Sequence, residues 1–151
     1  MPDQAHFKAV ASCRAARDLL TFEPVAPEML GGCRRRSMYV FVLDHRQRHV
    51  AVPERSFEAH YDTFVLTQTR RSIEQARHPV LAVSYGRDGA DTRIGTLAAR
   101  VYELGSVPPP DDIDGQSPSV VSWHDEGVCF LLASNELRSA QLLDVARELV
   151  A

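Results

Sequence analysis

Apolar residues along this chain recur mostly at short range, in runs that suit strands better than helices. From Ser37 to Leu43 the run Ser-Met-Tyr-Val-Phe-Val-Leu is dense in β-branched and aromatic residues and has a strand's length. His45 to His49 reads as its polar connection and Val50 to Val52 as a partner. Phe57 to Thr69 reads as one further extended segment. Its first half puts Phe57, Ala59 and Tyr61 on one face and Glu58, His60 and Asp62 on the other, while Phe64 and Leu66 take the opposite parity. That switch predicts a bulge or bend near Asp62-Thr63.

Ser72 and Gln75 have capping-box spacing, so Ile73 to Arg77 is expected to form one or two helical turns, stopped by His78-Pro79. Val80 to Tyr85 is a strand followed by a turn at Arg87-Asp88-Gly89. Arg93 to Leu104 is another strand, interrupted by Gly95. Val107 to Pro118, rich in proline and aspartate, is a loop within the domain, because strand signals resume directly after it. Val120 to Trp123 and Val128 to Ala133 form the clearest hairpin, with His124-Asp125-Glu126-Gly127 as its loop and Gly127 supplying a positive φ.

Two helices complete the reading. Gln4 to Leu20 is alanine-rich, and propensity favours a helix there that ends before the Pro24 to Pro27 segment. Gly31-Gly32 marks a turn. At the other end, Ser134 or Asn135 caps a helix running to about Val150, with Leu142, Val145, Ala146 and Leu149 at i, i+3, i+4 and i+7. Helix, hairpin-connected strands, then helix, without alternating strand and helix patterns, predicts an α+β fold. Its mainly antiparallel β-sheet carries an N-terminal helix and a C-terminal amphipathic helix packed on it, in a single domain spanning residues 1–151.

The bulk numbers agree with that reading and remove some function classes. A chain of 151 residues, 44% hydrophobic and 25% charged, is large enough to bury a core without a disulfide or metal staple. The 17 basic and 20 acidic residues leave a formal charge of -3, against nucleic-acid binding, and Arg34-Arg35-Arg36 reads as a solvated approach to a strand. Cys13, Cys33 and Cys129 share no ligand spacing. A Cys13–Cys33 bridge is left open, and Cys129 reads as a small core residue. The polar first ten residues and the absence of any long apolar stretch predict neither export nor membrane insertion, hence a cytoplasmic chain, or an extracytoplasmic one if it is an excised domain.

Candidate chemistry is sparse. Glu58, His60 and Asp62 on one strand face have the residue types of a metal or acid/base site, and also those of an ordinary polar strand face. Asp111, Asp112, Asp114 and Gly115 hint at a calcium loop. Setting Gly115 at the sixth EF-hand position, however, puts Pro110 and Val121 where carboxylates are required. His124, Asp125 and Glu126 cluster at a hairpin tip, and Trp123 reads as a packing residue. No nucleophile-elbow, phosphate-loop, dinucleotide or zinc-protease motif is present. No catalytic residue, metal ligand or cofactor is therefore assigned.

One block carries a resemblance. Val120-Val121-Ser122-Trp123-His124-Asp125-Glu126-Gly127-Val128-Cys129-Phe130-Leu131-Leu132-Ala133-Ser134, followed by Leu142-Leu143-Asp144-Val145-Ala146-Arg147-Glu148-Leu149, is similar to the C-terminal portion of bacterial anti-sigma-factor-like extracytoplasmic domains. It is similar also to the related lipoprotein-carrier-like, half-barrel domains of unknown function. The resemblance implies a non-catalytic sensing or binding domain whose sheet offers an apolar concavity or a partner surface, and it transfers no functional residues. The leading expectation is thus a bacterial-type regulatory domain binding a protein partner or a small apolar ligand. The alternatives are an enzyme with a site around Glu58, His60 and Asp62, and a homo-oligomeric interaction protein acting as a homodimer.

Overall fold

A computed structural model of the chain describes residues 4–44, 54–70, 89–103 and 118–150. Within them run β1 (Gln4–Ala9), α1 (Cys13–Arg17), β2 (Met29–Leu30), β3 (Cys33–Asp44), β4 (Glu54–Tyr61), β5 (Val65–Thr69), β6 (Ala90–Ile94), β7 (Leu97–Tyr102), β8 (Ser119–Asp125), β9 (Val128–Ser134) and α2 (Ser139–Val150), where α2 is the last helix. The strands form one antiparallel sheet ordered β1-β3-β4-β5-β9-β8-β7-β6, with β2 beside the start of β3. The α+β class, the antiparallel sheet and the C-terminal helix on it are as the residue pattern predicts.

Turn chemistry sets the hairpins. Leu30 pairs with Cys33 across Gly31 (φ 59) and Gly32 (φ 76), and Asp125 pairs with Val128 across Glu126 (φ 49) and Gly127 (φ 80). Two successive left-handed residues match the twist of antiparallel strands, which is why glycine recurs there. Gly95 (φ 61) opens the turn between Ile94 and Leu97, so the interruption expected inside one strand is a reversal between β6 and β7.

Several other expectations are corrected. The segment Phe57 to Thr69 is a hairpin, not one bent strand: the Tyr61 N–H donates to the Phe64 carbonyl at 2.9 Å, and Ala59 pairs with Leu66. The parity switch in the sequence is the chain turning back with the same face inward. Gln4 to Leu20 is not a helix. Its first residues pair with β3, and only Cys13–Arg17 is helical, capped by the Ser12 hydroxyl accepting from the Ala15 N–H at 3.0 Å. Pairing along β3 outweighs alanine's helix preference, a difference of only about 0.7 kcal/mol per residue. Neither Ser134 nor Asn135 caps α2. Ser134 ends β9, and its hydroxyl accepts from Glu136 and Leu137 N–H while donating to the Thr63 carbonyl. The helix starts at Ser139, whose hydroxyl donates to the Glu103 carboxylate at 2.5 Å, and the Gln141 side chain accepts from the Arg138 N–H at 2.9 Å. An acidic group at a helix N-terminus is stabilised by the exposed amides there. The readings for Val50 to Val52, Ser72 to Arg87 and Val107 to Ser117 lie outside the described residues.

One face of the sheet packs the main core. Phe57, Leu66, Leu132 and Val121 meet Leu142, Val145 and Ala146 of α2 and Phe22, Ala26 and Leu30 from the segment before β3. Trp123 stacks on Phe130 at 5.3 Å with rings 3° from parallel, inside this core, as its packing reading expects. The opposite face is divided. Toward β7, β8 and β9 it is buried as well, with Tyr102, Val120 and Leu131 forming a second cluster and Cys129 1% exposed. Toward β3 and β4 it is half-buried, and at β1 it is exposed, with Phe7 63% exposed.

Candidate functional site

The polar residues of the β4 face are the first candidates. Glu58 and His60 follow the alternation of β4 onto the open face, opposite the buried Phe57, Ala59 and Tyr61. The His60 imidazole Nε2 stands 3.9 Å from a Glu58 carboxylate oxygen, too far for a direct hydrogen bond. Asp62 does not join them. It sits past the end of β4 in the turn and pairs with the Arg36 guanidinium, which holds its carboxyl below the usual carboxylate range. The Asp62 carboxylate in turn raises Arg36. Among the described residues no group of three or more His, Cys, Asp and Glu side chains is placed to hold a metal ion. The candidate set Glu58, His60 and Asp62 therefore separates into a loose pair and an exposed ion pair.

Other candidates also disperse. His124, Asp125 and Glu126 are exposed at the β8–β9 tip. Cys13, Cys33 and Cys129 are free thiols, so the bridge left open between Cys13 and Cys33 is not made. The Cys33 sulfur meets the Thr63 hydroxyl at 3.3 Å, while Cys13 faces the Ala26 carbonyl at 3.9 Å. Arg34-Arg35-Arg36 does lie on β3, but Arg35 is half-buried and donates to the Ala26 carbonyl at 2.5 Å, so only part of the run is solvated. The aspartates of the proline-rich loop lie outside the described residues. A shallow depression of about 270 Å³ at the β4–β5 turn is bounded by Tyr61, Phe64, Pro118, Ser134, Asn135 and Glu136. That is below the usual size of a small-molecule site, about 300–1,000 Å³.

Two arrangements carry no motif in the sequence. The first is a strap. Residues 19–27 cross the core face in an extended path, alternately exposed and buried, with Phe22, Pro24 and Ala26 inward. Side chains of the sheet grip its backbone. The Gln68 amide accepts from the Val25 N–H at 2.8 Å and donates to the Val25 carbonyl at 2.7 Å. Arg55 donates to the Leu19 carbonyl at 2.5 Å, Arg70 to the Thr21 carbonyl at 2.5 Å, and the Tyr61 hydroxyl to the Pro27 carbonyl at 2.6 Å. Burial pushes the Tyr61 phenol up to about 12. The strap and α2 together occupy the face where an open apolar concavity was one expectation.

The second is an aromatic row on the open face. Phe7 of β1 lies 4.8 Å from Phe41 and 6.3 Å from Tyr39 between ring centroids, and Tyr39 meets His60 edge-on at 5.2 Å. Phe7 is 63% exposed, the most exposed large apolar side chain described. The signal for this row was present in the run Tyr39-Val40-Phe41, where both alternating faces are apolar although only one meets the core. In chemical terms the row combines rigid rings, which cost little entropy to hold, with a polar Glu58–His60 border.

No described helix is long and apolar enough to cross a membrane. Comparison of the chain with protein-family models, with curated proteins and with solved structures finds no match.

Proposed function

We propose that the chain is a non-catalytic regulatory domain of bacterial type that binds a protein partner through the aromatic row on the open half of its sheet. The observation that carries this reading is the exposure of Phe7 at 63%, continuous with Phe41, Tyr39 and His60 across three adjacent strands. Aromatic rings grouped with a polar border are the composition enriched at protein interfaces, where a few buried anchors carry most of the energy. The similarity of the Val120–Leu149 block to anti-sigma-factor-like domains supports the same class. A protein partner is favoured over a small apolar ligand because the strap and α2 occupy the core face of the sheet.

The enzyme alternative requires Glu58, His60 and Asp62 to act together, and Asp62 is engaged by Arg36 instead. The test is a hydrolase and metal-dependent activity screen on purified protein, run beside His60→Ala. The expected result is no turnover in either protein. Metal-dependent turnover that His60→Ala abolishes would replace the regulatory reading with the enzymatic one.

A further inference from the structure

The two edges of the sheet differ in how they meet solvent. The β6 edge is guarded by charge: Asp91 and Arg93 are exposed on it, and Arg100 of β7 lies 3.6 Å from the Asp91 carboxylate. Charged side chains on an edge discourage a further strand from pairing. The β1 edge has Phe7 and a single Lys8 instead.

The register of β1 says which of its amides face outward. Val10 N–H donates to the Met38 carbonyl at 3.0 Å, and the pairing continues without a shift through Lys8↔Val40 and His6↔Val42. Hydrogen-bonded and non-hydrogen-bonded pairs alternate along an antiparallel ladder. The backbone groups of Ala5, Phe7 and Ala9 therefore point away from β3, toward the open edge. No described strand pairs there. Read from Phe7 in either direction, the outward positions are alike: alanine two residues before and alanine two residues after.

We infer that β1 is a self-pairing edge: two copies of the chain join antiparallel through β1, about a two-fold axis at Phe7. Such an interface is isologous, so the same patch must complement itself, and an edge symmetric about one residue does so. In that register Phe7 faces Phe7 of the second copy as a hydrogen-bonded pair, and Ala5 faces Ala9 on both sides. The amide groups left unpaired on each copy satisfy one another, and the Phe7 ring, exposed in one copy, packs against its symmetry mate. The aromatic rows of the two copies then become one surface. The inference and the partner reading both use the exposed Phe7, but the mass measurement below tests self-pairing alone, without any other protein.

A pairing of one short strand plus one ring from each copy buries less than the roughly 1,200 Å² of a stable complex, so the dimer is a weak one. Sedimentation equilibrium of the purified chain from about 10 µM to about 1 mM, a range suited to such weak pairing, is expected to show the mass rising from monomer toward dimer. Phe7→Asp, which sets two carboxylates against each other on the axis, is expected to hold the protein monomeric throughout. Ala9→Pro removes an outward N–H without touching a β1–β3 bond, and is expected to do the same with far-ultraviolet circular dichroism unchanged. A wild-type chain monomeric over the whole range overturns the inference, and so does a dimer that survives both substitutions.

Discussion

At the scale of single residues, the most informative side chains are polar ones turned inward. Gln68 is fully buried, and both ends of its amide are matched to the N–H and carbonyl of one residue, Val25. Such a group stabilises only while both partners are present, since an unmatched buried polar atom costs about 1–3 kcal/mol. Gln68→Leu keeps the volume and removes both bonds, and is expected to lower unfolding free energy by about 2 kcal/mol in urea titration. Tyr61 makes a different prediction, in pH. Its folded-state value of about 12 lies above the 10.0 of an ordinary phenol, so the folded protein holds the phenolic proton more tightly than the unfolded chain. The stability this contributes is complete below pH 10.0 and falls as pH rises toward about 12, where the unfolded state binds fewer protons. Spectrophotometric titration is expected to show Tyr61 ionising well above an ordinary phenol, a step absent in Tyr61→Phe. That variant also loses the bond to Pro27 and about 1 kcal/mol of stability at neutral pH.

Among the elements, those governed by local rules were legible and those governed by distant contacts were not. The β8–β9 hairpin could be read directly, because apolar runs on either side of Glu126-Gly127 leave few alternatives. The α2 stripe was equally plain, with Leu142, Val145 and Ala146 all buried as spaced. The helix start was misplaced because Ser134 resembles a cap in sequence while its hydroxyl serves a turn, and the actual carboxylate at the N-terminus, Glu103, comes from a distant strand end. β1 was missed since its alanines favour helix and only β3 makes it a strand. No local pattern announces the strap, because the arginines, Gln68 and Tyr61 that grip it are 34 to 49 residues away along the chain for Arg55, Gln68, Tyr61 and Arg70. The candidate site followed the same division. Alternation correctly placed Glu58 and His60 on one face, but Asp62 was lost to a turn that alternation does not see. Gly31 ties two elements together: a Cβ there would lie 2.6 Å from a Val145 methyl of α2, at φ +59, whereas one at Gly32, at φ +76, would meet nothing within 4 Å. Both alanine variants incur the left-handed penalty of about 1–2 kcal/mol. Gly31→Ala adds a clash with the helix and is expected to lower the melting temperature several degrees further than Gly32→Ala, by differential scanning calorimetry.

For the whole molecule, the division of the sheet's outer face is what bears on function. β8 and β9 are buried on both sides over most of their length. Toward β1–β4 the core side is buried at β3 and β4, while Phe7, Tyr39 and Phe41 group on the other side beside the polar Glu58 and His60. Folding stability alone does not call for an exposed Phe7. That exposed ring is the observation behind the proposed partner surface. The most direct test places a photoreactive benzoylphenylalanine at Phe41, within the row, in the protein expressed in the organism that naturally encodes it. After irradiation, the account expects a discrete adduct with a second, different protein, distinct in mass from any crosslink between two copies of the chain, and absent when the same group replaces the exposed Glu126 on the far hairpin tip. No adduct at Phe41, or equal labelling from both positions, would contradict the claim that this face binds a partner.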